Sequence, residues 1–182
     1  TTGSVYNTGG GITAGLAVGA EVGMMDDAWW GPSIPLPSGP WFALAERNLP
    51  GSIIVNSAGE RYMNEARPYV EAVQAMYKCE AEGASTVPSW MIIDQRYRNR
   101  YIFAGLPPRQ PIPGRWYKSG AVKKGATIAE LAEQIELPAD VLAATVEKFN
   151  GYARTGVDAD FGRGESTYDK YYSDPTVKPN PS

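Results

Sequence analysis

The chain has 182 residues, 43% of them hydrophobic, and a formal net charge of −3 from 17 basic and 20 acidic residues. This is enough for one globular domain, and the mild acidity, without clustered Lys and Arg among aromatic residues, argues against a nucleic-acid partner. With no histidine and one cysteine, the chain lacks an internal disulfide, the usual zinc ligand sets and a Ser-His-Asp triad, so we predict no metal site.

The apolar runs, such as Trp90 to Ile93, are far too short for a membrane span, and no charged start followed by an apolar core marks a secretory signal. We therefore expect a cytoplasmic protein without a membrane span. The chain begins with Thr1 rather than Met, and its end from Asp174 to Ser182 is rich in proline. We expect a piece of a longer polypeptide.

The first segments of the chain are rich in glycine and tryptophan. A glycine-rich turn, Gly9 to Gly11, precedes a run of small apolar residues that reaches Ala20 and predicts a helix. Glycine at this density indicates a backbone that something approaches closely. Asp26 to Pro40 is rich in Pro, Gly and Trp, and its length is typical of a binding or lid loop.

The middle of the chain predicts a β-hairpin. Ser52 to Asn56 is a β-branched run, Ser57 to Glu60 is a turn, and Arg61 to Asn64 resumes an extended pattern. A helix follows from Tyr69 to Glu80, with Pro68 before its first residue. The corner between hairpin and helix would hold its side chains rigidly.

We predict structural, solvated or interdomain roles for the charged residues around this corner. For Glu65 we favour a structural role in fixing the corner, because buried carboxylates usually bind backbone or a cation. The nearby arginines are predicted to be solvated or interdomain charges. They are Arg61, Arg67, Arg96, Arg98 and Arg100.

The second half of the chain predicts one more strand and two successive helices. Trp90 to Ile93 is a strand candidate, and Thr127 to Glu130 matches a capping box that starts a short helix. Pro138 starts a longer helix that ends near Gly156. Without regular alternation of strands and helices, the pattern favours an α+β fold: a small, mostly antiparallel sheet with packed helices.

Five segments together resemble one family in order and spacing. Asn56 to Glu65 matches the cap-domain signature N-x-x-G-x-R-[FY]-x-N-E of the flavoenzymes that include soluble fumarate reductases and 3-ketosteroid dehydrogenases. The other four agree with the steroid branch: N-T-G-G-G at Asn7 to Gly11, M-D-D-A-W-W at Met25 to Trp30, D-Q-R-Y-R-N-R-Y-I-F-A-G at Asp94 to Gly105, and Y-D-K-Y-Y-S-D-P at Tyr168 to Pro175. The likeness covers essentially the whole chain.

This resemblance implies a domain organisation and a cofactor. Residues 1–25 would be the tail of an FAD-binding domain, 26–174 a substrate-capping catalytic domain, and 175–182 a linker back to the FAD-binding domain. FAD would be bound mainly by parts of the polypeptide outside this chain, which makes that domain the expected partner. Asn7, Gly9 and Gly11 are the candidate FAD contacts; Gly10 stands where the family usually has Asp.

The resemblance also implies a reaction, the desaturation of ring A of a 3-ketosteroid. Tyr69, directly after N-E-x-x-P, would remove a proton beside the ring carbonyl while a hydride leaves for FAD. A flat apolar substrate needs an aromatic and aliphatic slot, for which the candidates are Trp30, Phe42, Ile102 and Phe103, with core packing as the alternative. The family polarises the carbonyl from a downstream segment, so the isolated chain should be inactive.

The sequence leaves three other functions open. The neighbouring ring bond could be the one desaturated. A fumarate-reductase-like enzyme would need arginines and histidines around two carboxylates, whereas this chain has no histidine and has Pro68 where the proton relay has arginine. In isolation the chain could also be a noncatalytic module that binds a hydrophobic ligand.

Overall fold

The computed structural model describes residues 3–179, which form seven helices and two separate two-stranded antiparallel sheets. In chain order the elements are α1 (Gly10–Ala17), β1 (Ser33–Leu36), β2 (Gly39–Phe42), β3 (Ser52–Val55), α2 (Tyr69–Ala81), β4 (Trp90–Ile93), α3 (Gln95–Arg100), α4 (Gly114–Lys118), α5 (Ile128–Gln134), α6 (Ala139–Thr155) and α7 (Thr167–Tyr172). The α+β prediction is confirmed, with two small sheets in place of one.

The segment predicted as a loop from Asp26 to Pro40 contains a hairpin, so that prediction was wrong in part. β1 pairs with β2 from Ser33 opposite Phe42 to Leu36 opposite Gly39. Prolines on both strands obscured the pattern, since proline lowers strand propensity except at sheet edges. The hairpin matters for the site because it ends at Phe42.

The hairpin predicted from Ser52 to Asn64 is confirmed at its turn, where the Asn56 N–H donates to the Glu60 carbonyl at 3.0 Å, but its two arms do not form a strand ladder. β3 pairs with β4, from Ser52 opposite Ile93 to Val55 opposite Trp90, and the returning segment contributes an isolated bridge between Val55 and Arg61. On that side of β3, the backbone N–H of Ile54 donates to Oε1 of Glu65 at 3.1 Å. The buried Glu65 carboxylate therefore accepts a hydrogen bond that a neighbouring strand would otherwise accept, and this bond holds the corner against β3.

The helix predictions after this corner were correct. α2 begins at Tyr69 behind Pro68, and α6 ends before Gly156, whose φ of 79° is left-handed. At the start of α5, the Thr127 hydroxyl accepts from the Glu130 N–H at 3.1 Å, and the Glu130 carboxylate accepts from the Ala126 N–H at 2.8 Å. This satisfies exposed amides at the helix start as a capping box does.

β3 contributes to two of the three buried clusters, because successive residues of a strand point to opposite faces. Ile53 and Val55 pack with α5 and α6, and Ile54 packs with Met63 and Ala72 of the corner and α2. The remaining cluster comprises Leu36, Tyr97, Phe103, Ala104 and Trp116. The corner before α2 is thus attached to the centre of the fold.

Residues 3–28 lie almost entirely at the surface. α1 has no buried residue, and apolar side chains such as Leu16 and Val18 are 52% and 86% exposed. That residues 1–25 belong to another domain stays a prediction. Within residues 3–179, no helix combines the length and apolarity of a membrane span.

Candidate functional site

Tyr69 is half-buried at the first position of α2, and its phenol is contacted from two other segments. The indole Nε1 of Trp29 donates to the Tyr69 hydroxyl at 2.8 Å. The ring of Phe42, at the end of β2, meets the Tyr69 ring edge to face with 5.3 Å between centroids. The phenol therefore has a defined position and already accepts one hydrogen bond.

Further aromatic rings pack against each other beside α2, beyond Tyr69. Trp30 packs edge-on against Tyr77 with 5.5 Å between ring centroids, about two helical turns beyond Tyr69. Phe42 sits directly on the backbone of Gly31, where an added Cβ would lie 1.8 Å from its ring. We call Trp29, Trp30, Phe42, Tyr69 and Tyr77 the aromatic cluster.

The other two predicted substrate contacts have no ring contact with this cluster among the described residues. Phe103 is 6% exposed and packs against Tyr97 and Trp116, with 6.4 Å between ring centroids in each case. Its neighbour Ile102 is 60% exposed. The structure thus places Phe103 in a core and Ile102 at the surface, and their contact with substrate stays a prediction.

The predicted FAD contacts surround the start of α1. Residues 6–12 line an open concavity of about 440 Å³. Gly9 has a left-handed φ of 83°, no side chain caps the helix start, and a Cβ added at Gly9 or Gly11 would meet nothing within 4 Å. Exposed amides at such a helix start suit a polar or anionic group of a cofactor, so the residues present fit the predicted role.

Glu65 is fully buried and bound by two arginines. Its carboxylate lies 2.8 Å from Nε of Arg61 and 3.1 Å from Nη1 of Arg163, and Arg61 also pairs with Asp158 at 2.8 Å. Burial raises the pKa of Glu65, but Arg61 and Arg163 outweigh it and keep that pKa below its usual value. The position agrees with the structural role expected for Glu65.

Two of the arginines expected at the surface are buried, so that expectation was wrong for them. The Arg61 side chain is 4% exposed. Arg98 is 6% exposed and donates to the carbonyls of Tyr101 and Gln110 at 2.9 Å each. A guanidinium has five donors in a rigid planar group, and here carboxylates and loop carbonyls supply enough acceptors to allow burial.

Asn64 connects the corner to α7. Its Nδ2 donates to Oδ2 of Asp169 at 2.9 Å, and its Oδ1 accepts from the Ala66 N–H at 2.8 Å. In the sequence, the segment from Tyr168 was only a point of resemblance, and this contact was not predicted. The separation of 105 residues explains why no local pattern could reveal it.

The comparisons with known proteins agree with the family suggested by the motifs. A sequence model of the FAD binding domain family matches residues 1–182. The chain therefore belongs to this family of flavoproteins.

Individual relatives are more specific. The chain is 57% identical over its whole length to a 3-oxosteroid 1-dehydrogenase of Mycolicibacterium smegmatis, of which it covers 33%. The chain also resembles a crystal structure of the 3-ketosteroid delta1-dehydrogenase from Sterolibacterium denitrificans with 1,4-androstadiene-3,17-dione, with a TM-score of 0.86 and 43% identity. The match covers 97% of this chain and 32% of the crystallised chain. A 4-oxocyclohexanecarboxylate 2-dehydrogenase of Sinomonas cyclohexanicum is 37% identical over 97% of this chain and 31% of its own length. The chain thus spans about a third of these relatives.

Proposed function

We propose that this chain is the substrate-capping, catalytic part of an FAD-dependent dehydrogenase that desaturates ring A of 3-ketosteroids. The observation that carries this proposal is the 57% identity to a 3-oxosteroid 1-dehydrogenase across the whole chain. Residues 1–25 would belong to the FAD-binding domain, 26–174 to the cap, and 175–182 to the return linker. Residues 1–2 and 180–182 lie outside the described part of the chain.

Tyr69 is the proposed base for the proton beside the ring carbonyl. FAD, when bound, would accept the hydride from the adjacent carbon. The hydrogen bond from Trp29 to the phenol oxygen supports this role, because it fixes the position of the oxygen that would accept the proton. Phe42 restricts the ring from its side, which would keep the oxygen directed at one carbon of the substrate.

The substrate is proposed to lie along the aromatic cluster, with Trp30 and Phe42 contacting its apolar rings. Aromatic surfaces with few polar groups suit a flat fused-ring ligand. Ile102, which is exposed, would contact the far end of a long substrate, while the buried Phe103 next to it in sequence would support that contact from the core. These roles are those proposed from the sequence.

Asn7, Gly9 and Gly11 are the proposed contacts to FAD. The open concavity at the start of α1 supports this assignment. The remaining FAD contacts would come from the rest of the polypeptide, since the relatives are about three times as long as this chain. We further propose a cytoplasmic location, the one expected from the sequence.

The test uses the full-length flavoprotein that contains this chain. Under anaerobic conditions, oxidised enzyme is mixed with a 3-ketosteroid or with 4-oxocyclohexanecarboxylate, and reduced enzyme is mixed with fumarate, while flavin absorbance is followed. The proposal expects bleaching by the steroid that is faster than bleaching by the cyclohexane substrate. Oxidised flavin that persists with steroid, together with reoxidation by fumarate, would reject the proposal.

A further inference from the structure

A buried arginine outside the sequence motifs contacts the backbone next to Phe42 and the backbone that leads into the proposed base. Arg47 has 0% exposure. Its Nε donates to the carbonyl of Ala43 at 3.1 Å, and its Nη1 donates to the carbonyl of Arg67 at 2.6 Å and to that of Glu65. One side chain therefore joins the end of β2 to the corner before α2.

These carbonyls flank the ring pair at the centre of the site. Ala43 directly follows Phe42, and Arg67 precedes Tyr69 with Pro68 between them. The two rings meet edge to face at 5.3 Å. Because a guanidinium is planar and its donors are fixed relative to each other, Arg47 sets the separation of the two backbone segments that carry these rings.

The charge of Arg47 is not explained by an ion pair. Among residues 3–179, no carboxylate lies within ion-pair distance of it. Burial lowers its pKa to about 10, and the phenol of Tyr168 opposes that change. A buried cation costs folding free energy unless it is hydrogen-bonded or paired. Arg47 donates to three backbone carbonyls close to Phe42 and Tyr69 and also interacts with the Tyr168 phenol.

We propose that Arg47 is a positioning residue for Tyr69. It fixes the first turn of α2 against the end of β2, so that the phenol oxygen keeps one place relative to the substrate. This inference rests on the proposed function, in which Tyr69 is the base.

The experiment uses the full-length flavoprotein with Arg47→Lys and, in parallel, Arg47→Gln, which keeps a planar donor group but reaches fewer carbonyls. Anaerobic stopped-flow measurements give the limiting rate of flavin reduction and the dissociation constant for a 3-ketosteroid. A substrate deuterated at the carbon beside the carbonyl gives the isotope effect on proton removal. Leu142→Ala is the control, because Leu142 is fully buried in the cluster formed with α5 and α6.

The inference expects a loss of about tenfold or more in limiting rate in whichever Arg47 variant retains full flavin content, since small displacements of a reacting group cost that much. The dissociation constant should stay within about twofold, and the isotope effect should rise because proton removal becomes slower. Leu142→Ala should lower the melting temperature and leave the limiting rate per bound flavin unchanged.

An Arg47 variant with the wild-type limiting rate and isotope effect would overturn the inference, as would an equal rate loss in Leu142→Ala. A variant that changes only the dissociation constant would also overturn it. Failure of the proposed function is seen separately, because wild-type enzyme would then leave its flavin oxidised with steroid.

Discussion

At the residue scale, Glu65 is the side chain on which the corner before Tyr69 depends. Its carboxylate accepts from Arg61, from Arg163 and from the backbone N–H of Ile54, all within 3.1 Å. Removing one partner of a buried ion pair leaves the other charge uncompensated, which typically costs about 3–5 kcal/mol. We expect Glu65→Gln to lower the free energy of unfolding by about 3 kcal/mol.

Urea denaturation of the 182-residue chain measures this change. Glu147→Gln is the matched control, because Glu147 pairs with Arg154 at the surface, where both side chains are at least 65% exposed, and such pairs contribute little. Equal midpoints for wild type and Glu65→Gln would show that the carboxylate is not needed for the corner.

The same carboxylate predicts a pH dependence of stability. The folded-state pKa of Glu65 lies below its usual value of 4.5, so the unfolded chain binds the proton more readily. The contribution of Glu65 is then complete above that usual pKa and is lost as the pH falls through the lower folded-state pKa. The stability difference between wild type and Glu65→Gln should therefore be constant near neutral pH and shrink below about pH 4.

Thermal melts from pH 7 to pH 3 test this dependence. Asp158, whose pKa is also lowered because Arg61 outweighs its burial, should add to the acid lability in the wild type. A difference between wild type and Glu65→Gln that grows as the pH falls would contradict the assigned direction.

Single residues were predictable from the sequence where a motif marked them, and their partners were not predictable where they lie far away in the chain. The corner signature and the proline after it led to Tyr69 and Glu65. The partners of these residues, Arg163 and Arg47, come from segments with no motif of their own. Arg163 and Glu65 are 98 residues apart, and only tertiary packing brings such charges together.

At the element scale, the position of Phe42 depends on the absence of a side chain at Gly31. An added Cβ would lie 1.8 Å from the Phe42 ring, so Gly31→Ala must displace the ring or the backbone before β1. Such overpacking costs about 1–3 kcal/mol. We expect a lower melting temperature and slower flavin reduction by steroid in the full-length enzyme.

Gly114→Ala is the matched control for this substitution. A Cβ at Gly114 meets nothing within 4 Å, and alanine has the higher helix propensity in α4. Differential scanning calorimetry and stopped-flow reduction compare the two variants. If Gly31→Ala behaves like Gly114→Ala, the close contact with Phe42 does not constrain the site.

Helices were predictable from the sequence where residues close to their ends determine where they start or stop. The glycine after α6, the proline before α2 and the capping box of α5 each act within a few residues, and all three helices were predicted. The pairing of β3 was not predictable in this way. The Glu65 carboxylate accepts a hydrogen bond from a backbone N–H of β3. The strand that pairs with β3 is β4, which follows α2 in the chain.

At the scale of the whole molecule, residues 3–28 pack little against the rest of the chain. We expect thermolysin to cut the isolated chain first in this segment, next to exposed apolar residues such as Leu16 and Val18. Mass spectrometry of the early fragments identifies the site. First cleavage within α5 or α6 would contradict the structure, because these helices enclose a core.

The central claim concerns Tyr69, and one comparison tests it most directly. Full-length wild-type and Tyr69→Phe enzymes, both with full flavin content, are mixed anaerobically with a 3-ketosteroid while flavin absorbance is recorded. Removal of the hydroxyl leaves the ring contact with Phe42 in place and eliminates the proton acceptor, so we predict rapid bleaching in the wild type and a loss of at least about a hundredfold in the variant. Bleaching of Tyr69→Phe at the wild-type rate would contradict the account.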